Sequence, residues 1–266
     1  MQRYHAKVAR NIRLHSLHIY PVKSGRVIDL DVARIGPRGL QYDREWMFIT
    51  AEGRFITQRS HPVLARLEAT PDDSGVTLSH PHAGQLRLER PAPMTTAPGD
   101  WRAVNVWKRS IDALDLGREA ARFASAIVGE PARIVAAGSD NFPDGYPLLV
   151  CTLASLADVN RRLPSALPMT RFRPNLVLDG LDAWEEDQIK ELRIGAVRLK
   201  LVKACTRCVM TSIDQQTGLK AVSPLPVLQE FRFDTALRGV TFGQNARVES
   251  GAGSLLRVGD AVHLSG

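Results

Sequence analysis

Two cysteines three positions apart carry the most reactive side chains of the sequence. Cys205 and Cys208 enclose Thr206 and Arg207, and Cys151 is the only other cysteine. Three cysteines cannot all pair within one chain, so we expect reduced thiols. A thiolate binds soft or thiophilic metals, and Arg207 would help to keep a neighbouring thiol ionised if its side chain turned inward.

The spacing of this pair leaves several interpretations open. A structural zinc site needs a second pair of Cys or His ligands, and Cys151 stands alone. A thioredoxin-like redox pair needs a helix N-terminus, whereas β-prone residues precede Cys205 and continue through residues 209–211. Two inert buried thiols are a third interpretation. The fourth is one thiolate on a thiophilic metal whose remaining ligands come from a cofactor.

A short basic turn follows a β-prone run near the start of the chain. Residues 20–25, with the sequence YPVKSG, place Lys23 and Ser24 in this turn. A lysine, a hydroxyl group and the backbone N–H groups of a tight turn can together bind a phosphate. The upstream glycine and the following helix of a P-loop are missing. An ordinary surface turn is the alternative that this segment leaves open.

A second candidate anion site lies in residues 171–175, with the sequence RFRPN. Pro174 disfavours a helical conformation for Arg173 and predicts an extended segment. Arg171 and Arg173 would then share one face, with Asn175 on that face or close to it. Two guanidinium groups and an amide suit a phosphate or a polar ring, and solvated strand arginines are the alternative.

The pattern of apolar residues and turn residues predicts the elements that must hold these side chains. Strands are predicted at residues 17–20, 46–49, 54–57, 76–78, 85–88, 133–136, 175–178, 192–194 and 197–202, with another strand pair within 255–262. The runs at 76–78 and 85–88 form a predicted hairpin across residues 82–84. Helices are predicted at 118–128, which ends before Gly129 and Pro131, and at 153–163. A proline-rich stretch from Pro91 to Pro98 is predicted to join two subdomains.

The amino-acid composition indicates which kinds of molecule the protein can bind. The chain has 35 basic and 28 acidic residues and a net charge of +7, which favours anionic partners. Dense Lys/Arg blocks are missing and aromatic residues make up only 6%, so a phosphate-bearing small molecule fits better than nucleic acid. No apolar run approaches the roughly eighteen residues of a membrane span, and no signal-peptide core is visible. These features predict a cytoplasmic protein that does not bind membranes.

Taken together, these segments resemble the MOSC family (molybdenum cofactor sulfurase C-terminal domain), preceded by its N-terminal β-barrel partner. The resemblance runs from about residue 14 to residue 264. It rests on YPVKS at 20–24, DREW at 43–46, RFRPN at 171–175, CTRC at 205–208 with Ile213-Asp214 and Thr217-Gly218 after it, and LRVGD at 256–260. We therefore predict a β-rich α+β fold, with a β-barrel-like subdomain over residues 12–115, a mixed β-barrel MOSC domain over residues 116–266 and a few packed helices.

Within this family the sequence is most similar to proteins that reduce amidoximes and N-hydroxylated bases. The resemblance implies that Cys208 binds the metal of a molybdenum cofactor (molybdopterin with Mo) and is the catalytic cysteine, with Cys205 a neighbour and not a ligand. The residues that match those holding the pterin and its phosphate are Lys23, Ser24, Arg44 and Arg173. Segments that line the same pocket supply four further expected cofactor-binding residues, namely Arg59, Asp144, Tyr146 and Asn175.

The activity implied by the resemblance is that of a molybdenum-dependent reductase, which removes oxygen from small N-hydroxylated molecules and releases water. The chain lacks the four cysteines of a fused iron–sulfur domain and the Gly-x-Gly-x-x-Gly fingerprint, so a separate iron–sulfur or flavin electron donor is expected. Asp214 and His61 are available as proton donors, but neither is assigned. The alternatives are a non-catalytic carrier of the cofactor or its sulfur, and a thiol–disulfide enzyme built on Cys205 and Cys208.

Overall fold

The fold is built mostly from short strands. The computed structural model describes residues 10–90, 101–138 and 140–265. In chain order the strands of this part are β1 (Arg13–Ile19), β2 (Ile28–Leu30), β3 (Val32–Gly36), β4 (Gly39–Leu40), β5 (Trp46–Thr50), β6 (Glu68–Asp72), β7 (Gly75–His80), β8 (Gly84–Glu89), β9 (Trp101–Val106), β10 (Arg109–Asp115), β11 (Ala132–Ala137), β12 (Leu148–Thr152), β13 (Leu176–Asp179), β14 (Glu191–Ile194), β15 (Val197–Thr206), β16 (Phe233–Asp234), β17 (Gly239–Ser250), β18 (Leu255–Arg257) and β19 (Val262–Ser265). The α-helices are α1 (Gly117–Val128), α2 (Leu153–Arg161) and α3 (Leu225–Phe231), and short 3-10 helices lie at Pro62–Arg66, Met169–Phe172, Glu185–Asp187 and Val209–Ser212.

The largest sheet joins strands from both ends of the chain. Its order is β19-β14-β15-β17-β12-β13-β1-β2, with β16 paired to β17. Only β12 and β13 run parallel along this path, and α2 makes the crossover that a parallel connection needs. The hydroxyl of Thr152 caps α2 by accepting a hydrogen bond from the Ser155 N–H. One apolar cluster, with Leu14, Leu17 and Leu176 among its members, packs against this sheet.

A second group of elements surrounds strand β5. The four-stranded sheet has the order β5-β11-β10-β9, and the separate sheet β6-β7-β8 lies in the same part of the molecule. Strand β5 is buried on both faces: Trp46 and Phe48 belong to one apolar cluster, and Met47 and Ile49 belong to another. Helix α1 adds its apolar face to the first of these clusters and ends at Gly129 in the left-handed conformation.

Most of the predicted elements and the β-rich α+β class are confirmed. The hairpin of β7 and β8 and helix α1 lie where the sequence predicts them. Residues 54–57 do not form a continuous strand: Arg54 and Phe55 make only isolated β-bridges, and a turn begins at Thr57, whose carbonyl accepts hydrogen bonds from the N–H groups of Ser60 and His61. The two strands within 255–265 exist, but β18 pairs with β3 and β19 pairs with β14 rather than with each other. The stretch from Pro91 to Pro98 lies outside the described residues.

The predicted extended conformation is wrong for two segments, residues 171–173 and residues 209–212. Arg171 lies in a 3-10 helix and Arg173 adopts the left-handed region with φ of 55°. Pro174 does exclude the right-handed helical region for Arg173, but the N–H of Arg173 bonds the Thr170 carbonyl, and this tight turn selects the left-handed alternative over the extended one. Residues 209–212 also form a 3-10 helix instead of continuing a strand. The predicted boundary between residues 115 and 116 stays a prediction.

Candidate active site

All nine predicted site residues line one cavity of about 410 Å³. They are Lys23, Ser24, Arg44, Arg59, Asp144, Tyr146, Arg173, Asn175 and Cys208. Strand β1 ends at the sheet edge where the parallel strands β12 and β13 begin, so the turn at 20–25 and the segment at 171–175 meet there. The cysteine segment follows the end of β15. The fold thus brings together residues that are far apart in the sequence, while their individual roles stay predictions.

Asp144 connects three side chains at the mouth of the cavity. Its carboxylate pairs with the Lys23 ammonium and accepts hydrogen bonds from Arg59 Nη2 at 3.0 Å and from Trp107 Nε1 at 3.2 Å. The Lys23 Nζ also donates to the Phe142 carbonyl at 3.0 Å. Asp144 is half exposed to solvent, although protein atoms surround it on most sides. Two cations against one carboxylate leave this cluster with a net positive charge.

Burial and neighbouring charges shift the pKa values of Lys23, Asp144 and Arg59 in opposite directions. Burial lowers the pKa of the Lys23 ammonium to about 8, although the Asp144 carboxylate opposes this shift. Burial alone would raise the pKa of Asp144, but the charges of Lys23 and Arg59 outweigh it and hold that pKa well below its usual range. Burial also opposes the charge on Arg59, but the negative charges of Asp144 and of a Cys208 thiolate raise its pKa. Arg59 therefore links the carboxylate cluster to the cysteine.

A second group of cations stacks on one buried ring. The guanidinium carbons of Arg173 and Arg44 lie 4.0 Å and 5.0 Å from the centroid of the Tyr20 ring. Arg44 also pairs with the buried Asp43 and donates to Asn175 Oδ1 at 3.3 Å. Burial lowers the pKa of Arg173 to about 10, so its side chain is still charged at neutral pH. Two fixed cations therefore face the cavity from its interior side.

Backbone strain is concentrated at this cavity. Seven non-glycine residues in the described part of the chain have a positive φ, and four of them line the cavity. These four are Ser24, Arg44, Trp107 and Arg173. Each such conformation costs on the order of 1–3 kcal/mol and persists only where surrounding contacts impose it. This concentration indicates that the cavity geometry is maintained at the expense of local stability.

The two cysteines of the CTRC segment differ in their surroundings. The Cys205 Sγ accepts a hydrogen bond from Arg207 Nη1 at 2.9 Å, and Arg207 Nη2 donates to the Phe172 carbonyl at 2.7 Å. The side chain of Arg207 therefore does turn inward. Cys208 is partly exposed in the cavity and precedes the 3-10 helix Val209–Ser212. Burial raises the pKa of Cys151 well above its usual value, so this third thiol is an inert core residue.

Several residues of the cavity were absent from the predicted site. They include Trp107, Arg171, Phe172, Lys203, Cys205, Arg207, Met210 and Asn245. Arg171, Phe172, Cys205 and Arg207 belong to segments that the sequence singled out, whereas nothing in the sequence around Trp107 pointed to the site. Asp214 and His61 do not line the cavity. Asp214 accepts hydrogen bonds from its own loop, including the Thr217 hydroxyl, and His61 lies beside Glu130.

The donor set fits a phosphate-bearing cofactor with a thiophilic metal. The lining contains seven basic side chains and a single carboxylate. Arg171 is 2% exposed, and among the described residues its Nε and Nη1 atoms have no hydrogen-bond partner. Buried donors without partners are costly, and an anion in the cavity would offset that cost. The thiol of Cys208 lies in the same cavity and is a sulfur donor of the kind that thiophilic metals prefer.

Comparison with known proteins identifies the class to which this fold and cavity belong. Residues 11–131 match the family model of the MOSC N-terminal beta barrel domain, and residues 137–263 match that of the MOSC domain. The chain belongs to the MOSC family, in the arrangement that combines the two domains. It is 34% identical to mitochondrial amidoxime-reducing component 1 of Mus musculus, over 94% of this chain and 81% of that protein. It is 33% identical to mitochondrial amidoxime reducing component 2 of Homo sapiens, over 93% and 82% of the two chains.

These relatives confirm the predicted family and correct the predicted location. The names of the relatives that align with 93–94% of the chain describe mitochondrial components, which contradicts the cytoplasmic prediction. That prediction rested on the lack of an apolar leader, whereas a mitochondrial transit peptide is amphipathic and rich in arginine rather than apolar. Within the described residues, no helix has both the length and the apolar character needed to cross a bilayer.

Proposed function

We propose that this chain is a molybdenum-dependent reductase of small N-hydroxylated molecules, such as amidoximes, hydroxylamines and N-hydroxylated bases. The observation that carries the proposal is the presence of the Cys208 thiol in a cavity lined by seven basic side chains. The names of the aligned relatives, which are amidoxime-reducing components, support it. The reaction takes up two electrons and two protons, breaks the N–O bond, and releases water and the reduced amine or amidine.

Different residues of the cavity would bind the phosphate, the metal and the pterin of the cofactor. Lys23, Arg44 and Arg173 would hold the phosphate through charge-assisted hydrogen bonds, each worth roughly 1.5–3 kcal/mol. Cys208 would be the protein ligand of the metal. The remaining contacts to the pterin would come from Ser24, Arg59, Asp144, Tyr146 and Asn175. When bound, the cofactor supplies a metal that takes up and passes on two electrons.

The electrons would come from a separate iron–sulfur or flavin protein. Cys208 is assigned to the metal and Cys151 is buried, so Cys205 is the one thiol left beside the cavity. A single thiol cannot hold an iron–sulfur cluster, which takes four cysteine ligands. A transient partner that reaches the open side of the cavity would meet this requirement.

Metal and pterin analysis of three proteins tests the proposal. The wild type, Cys208→Ser and Cys205→Ser are purified from a host that makes the cofactor, and benzamidoxime reduction is then assayed with an artificial electron donor. We expect near-stoichiometric molybdenum and activity in the wild type, loss of both in Cys208→Ser, and retention of both in Cys205→Ser. Folded wild type without molybdenum would refute the proposal. Bound molybdenum without reduction would favour the carrier, and loss of activity in Cys205→Ser alone would favour thiol–disulfide chemistry.

A further inference from the structure

Trp107 occupies a backbone position that normally selects glycine. It is the first residue of the two-residue connection between β9 and β10, where Val106 pairs with Arg109. Its φ is 56°, in the left-handed region that a bulky side chain seldom adopts. In short hairpin connections, positions with positive φ are dominated by Gly, Asn and Asp. The presence of the largest side chain at such a position calls for an explanation in the contacts or in the function of the ring.

Three contacts fix the indole at the rim of the cavity. The Arg59 guanidinium lies 4.8 Å from the ring centroid, and the Phe55 ring meets the indole edge-on at 5.2 Å. The indole Nε1 donates to Asp144 Oδ1 at 3.2 Å. Arg59 covers one face of the ring, yet 53% of Trp107 remains exposed. The ring is thus oriented by the same charged cluster that lies beside Cys208, and it keeps a large apolar surface uncovered.

Exposure alone would not single out this residue. Trp101, in strand β9 of the same hairpin, is 41% exposed, but it does not line the cavity and it has no positive φ. Residues assigned to the phosphate of the cofactor lie deeper than Trp107, since Lys23 and Arg173 are only 5% and 8% exposed. A ligand that reaches the buried residues lies deep in the cavity, whereas Trp107 stands where a second molecule would enter.

We propose that Trp107 is a stacking platform for the planar ring of the substrate, so that the protein prefers aromatic N-hydroxylated molecules over aliphatic ones. This inference rests on the proposed function and adds a substrate class to it. Every aromatic ring offers a π-face to an indole, and such stacks contribute substantially to the binding of planar ligands. An aliphatic amidoxime has the same reducible group but no ring to stack. The strained turn and the Asp144 hydrogen bond hold the platform in place before the substrate arrives.

A binding experiment tests the platform without catalysis. Benzamidoxime and acetamidoxime, both uncharged near neutral pH, are titrated by calorimetry into the purified protein in the absence of an electron donor. The test variant is Trp107→Gly, because glycine adopts the positive φ freely and keeps the turn intact. Trp107→Phe retains an aromatic ring, and Trp101→Ala is the matched control on the same hairpin. We expect Trp107→Gly to weaken benzamidoxime binding about tenfold, with acetamidoxime binding unchanged and with near-wild-type binding in Trp107→Phe and Trp101→Ala.

Three outcomes would overturn the inference. Equal weakening of both amidoximes would make Trp107 a structural residue, and an unchanged affinity for benzamidoxime would leave it no role in binding. Loss of molybdenum from Trp107→Gly would assign the ring face to the pterin instead. Failure of the proposed function gives a different result, because ring-selective binding that depends on Trp107 would persist in a protein that reduces neither compound. With an electron donor present, the same selectivity is expected in KM, which should rise more for benzamidoxime than for acetamidoxime in Trp107→Gly.

Discussion

Burial and the Asp144 carboxylate both act on the charge of Lys23. A lysine buried as deeply as Lys23 loses its proton more easily than a free lysine, and the adjacent carboxylate limits that loss. At neutral pH the pair leaves Lys23 mostly cationic, while Arg59 shares the same carboxylate. The pKa of Lys23 therefore lies close to neutral pH, so a small rise in pH weakens its attraction for an anion in the cavity. This property distinguishes Lys23 from the arginines of the site, whose charge is constant over the physiological range.

The affinity of the cofactor-free protein for a phosphate-like anion is predicted to depend on pH through Lys23. Its cationic form binds the anion, so binding is full below the Lys23 pKa of about 8 and falls as the pH rises through that value. Sulfate is a suitable probe because its own charge stays constant from pH 6.5 to 9.5, and calorimetry at several pH values measures the effect. Lys23→Arg should show a flat profile. A wild-type profile as flat as that of Lys23→Arg would contradict the prediction.

Among the elements, positive φ angles occur at glycines that end an element and at four non-glycine residues of the cavity, besides three non-glycine residues elsewhere in the residues that the structure describes. Glycine adopts a positive φ where an element ends, as Gly129 does at the C-terminus of helix α1. Around the cavity the same conformation is imposed on Ser24, Arg44 and Arg173, which line it. The turns of the site therefore lose stability so that their side chains can point into the cavity, which natural proteins tolerate at functional positions.

Gly129→Ala is predicted to destabilise the protein by about 1–2 kcal/mol through backbone strain alone. A Cβ atom at Gly129 would meet no heavy atom within 4 Å, so the cost comes from its φ of 79° and not from a clash. Gly145→Ala is the matched control, because Gly145 also has open space around it and does not appear among the glycines with positive φ. Chemical denaturation measures both. Equal free energies of unfolding for the two variants would refute the explanation.

Ser24→Gly is predicted to separate stability from function. Ser24 has a φ of 67°, so glycine should relieve strain and raise the free energy of unfolding by about 0.5–1 kcal/mol. The hydroxyl group is lost at the same time, and we expect a lower molybdenum content in protein from a cofactor-producing host. Denaturation and metal analysis of the same preparation measure the two effects. A variant that is more stable and fully loaded would show that the Ser24 side chain does not contact the cofactor.

At the scale of the whole molecule, the cavity lies where the two main groups of strands meet. Cys208 and Asn175 come from the ends of strands in the nine-stranded sheet, while Trp107 comes from the four-stranded sheet. Strand β1 pairs with β13, and β11 pairs with β5, so each group contains strands distant in sequence. Each group of strands therefore needs segments from both the earlier and the later part of the sequence. The geometry of the site consequently depends on the apolar cluster of the nine-stranded sheet and on the cluster that contains Trp46 and Phe48.

The interleaved strands predict a single cooperative unfolding transition for the full chain. Leu17→Ala in the first cluster should cost about 2–5 kcal/mol, and Phe48→Ala in the second about 3–5 kcal/mol. Both side chains are fully buried, and each variant should lower the same Tm. Thermal unfolding followed by far-UV and near-UV circular dichroism checks this. Two transitions, of which each variant shifts only one, would show that the two groups fold independently.

Several elements and the chemical types of the predicted site residues could be read from the sequence alone. Alternating apolar residues and turn signals predicted the hairpin of β7 and β8, and helical spacing with Gly129 as the stop predicted α1. These patterns are local, because burial of one face imposes a period on neighbouring residues. The resemblance to the MOSC family supplied the nine site residues together with their cofactor. Periodicity alone could not have predicted that residues 23, 44, 144 and 208 line the same cavity.

The conformations and the neighbours within the site depend on long-range packing. The left-handed turn at Arg173 depends on a hydrogen bond to Thr170 that competes with the extended form favoured before a proline. The inclusion of Trp107 depends on the packing of a hairpin from another sheet against Arg59 and Asp144. The burial that shifts the pKa of Lys23 arises from segments more than one hundred residues away, such as the loop of Phe142 and Asp144. Interactions of this kind join positions with no fixed spacing in the chain, so no local pattern in the sequence encodes them.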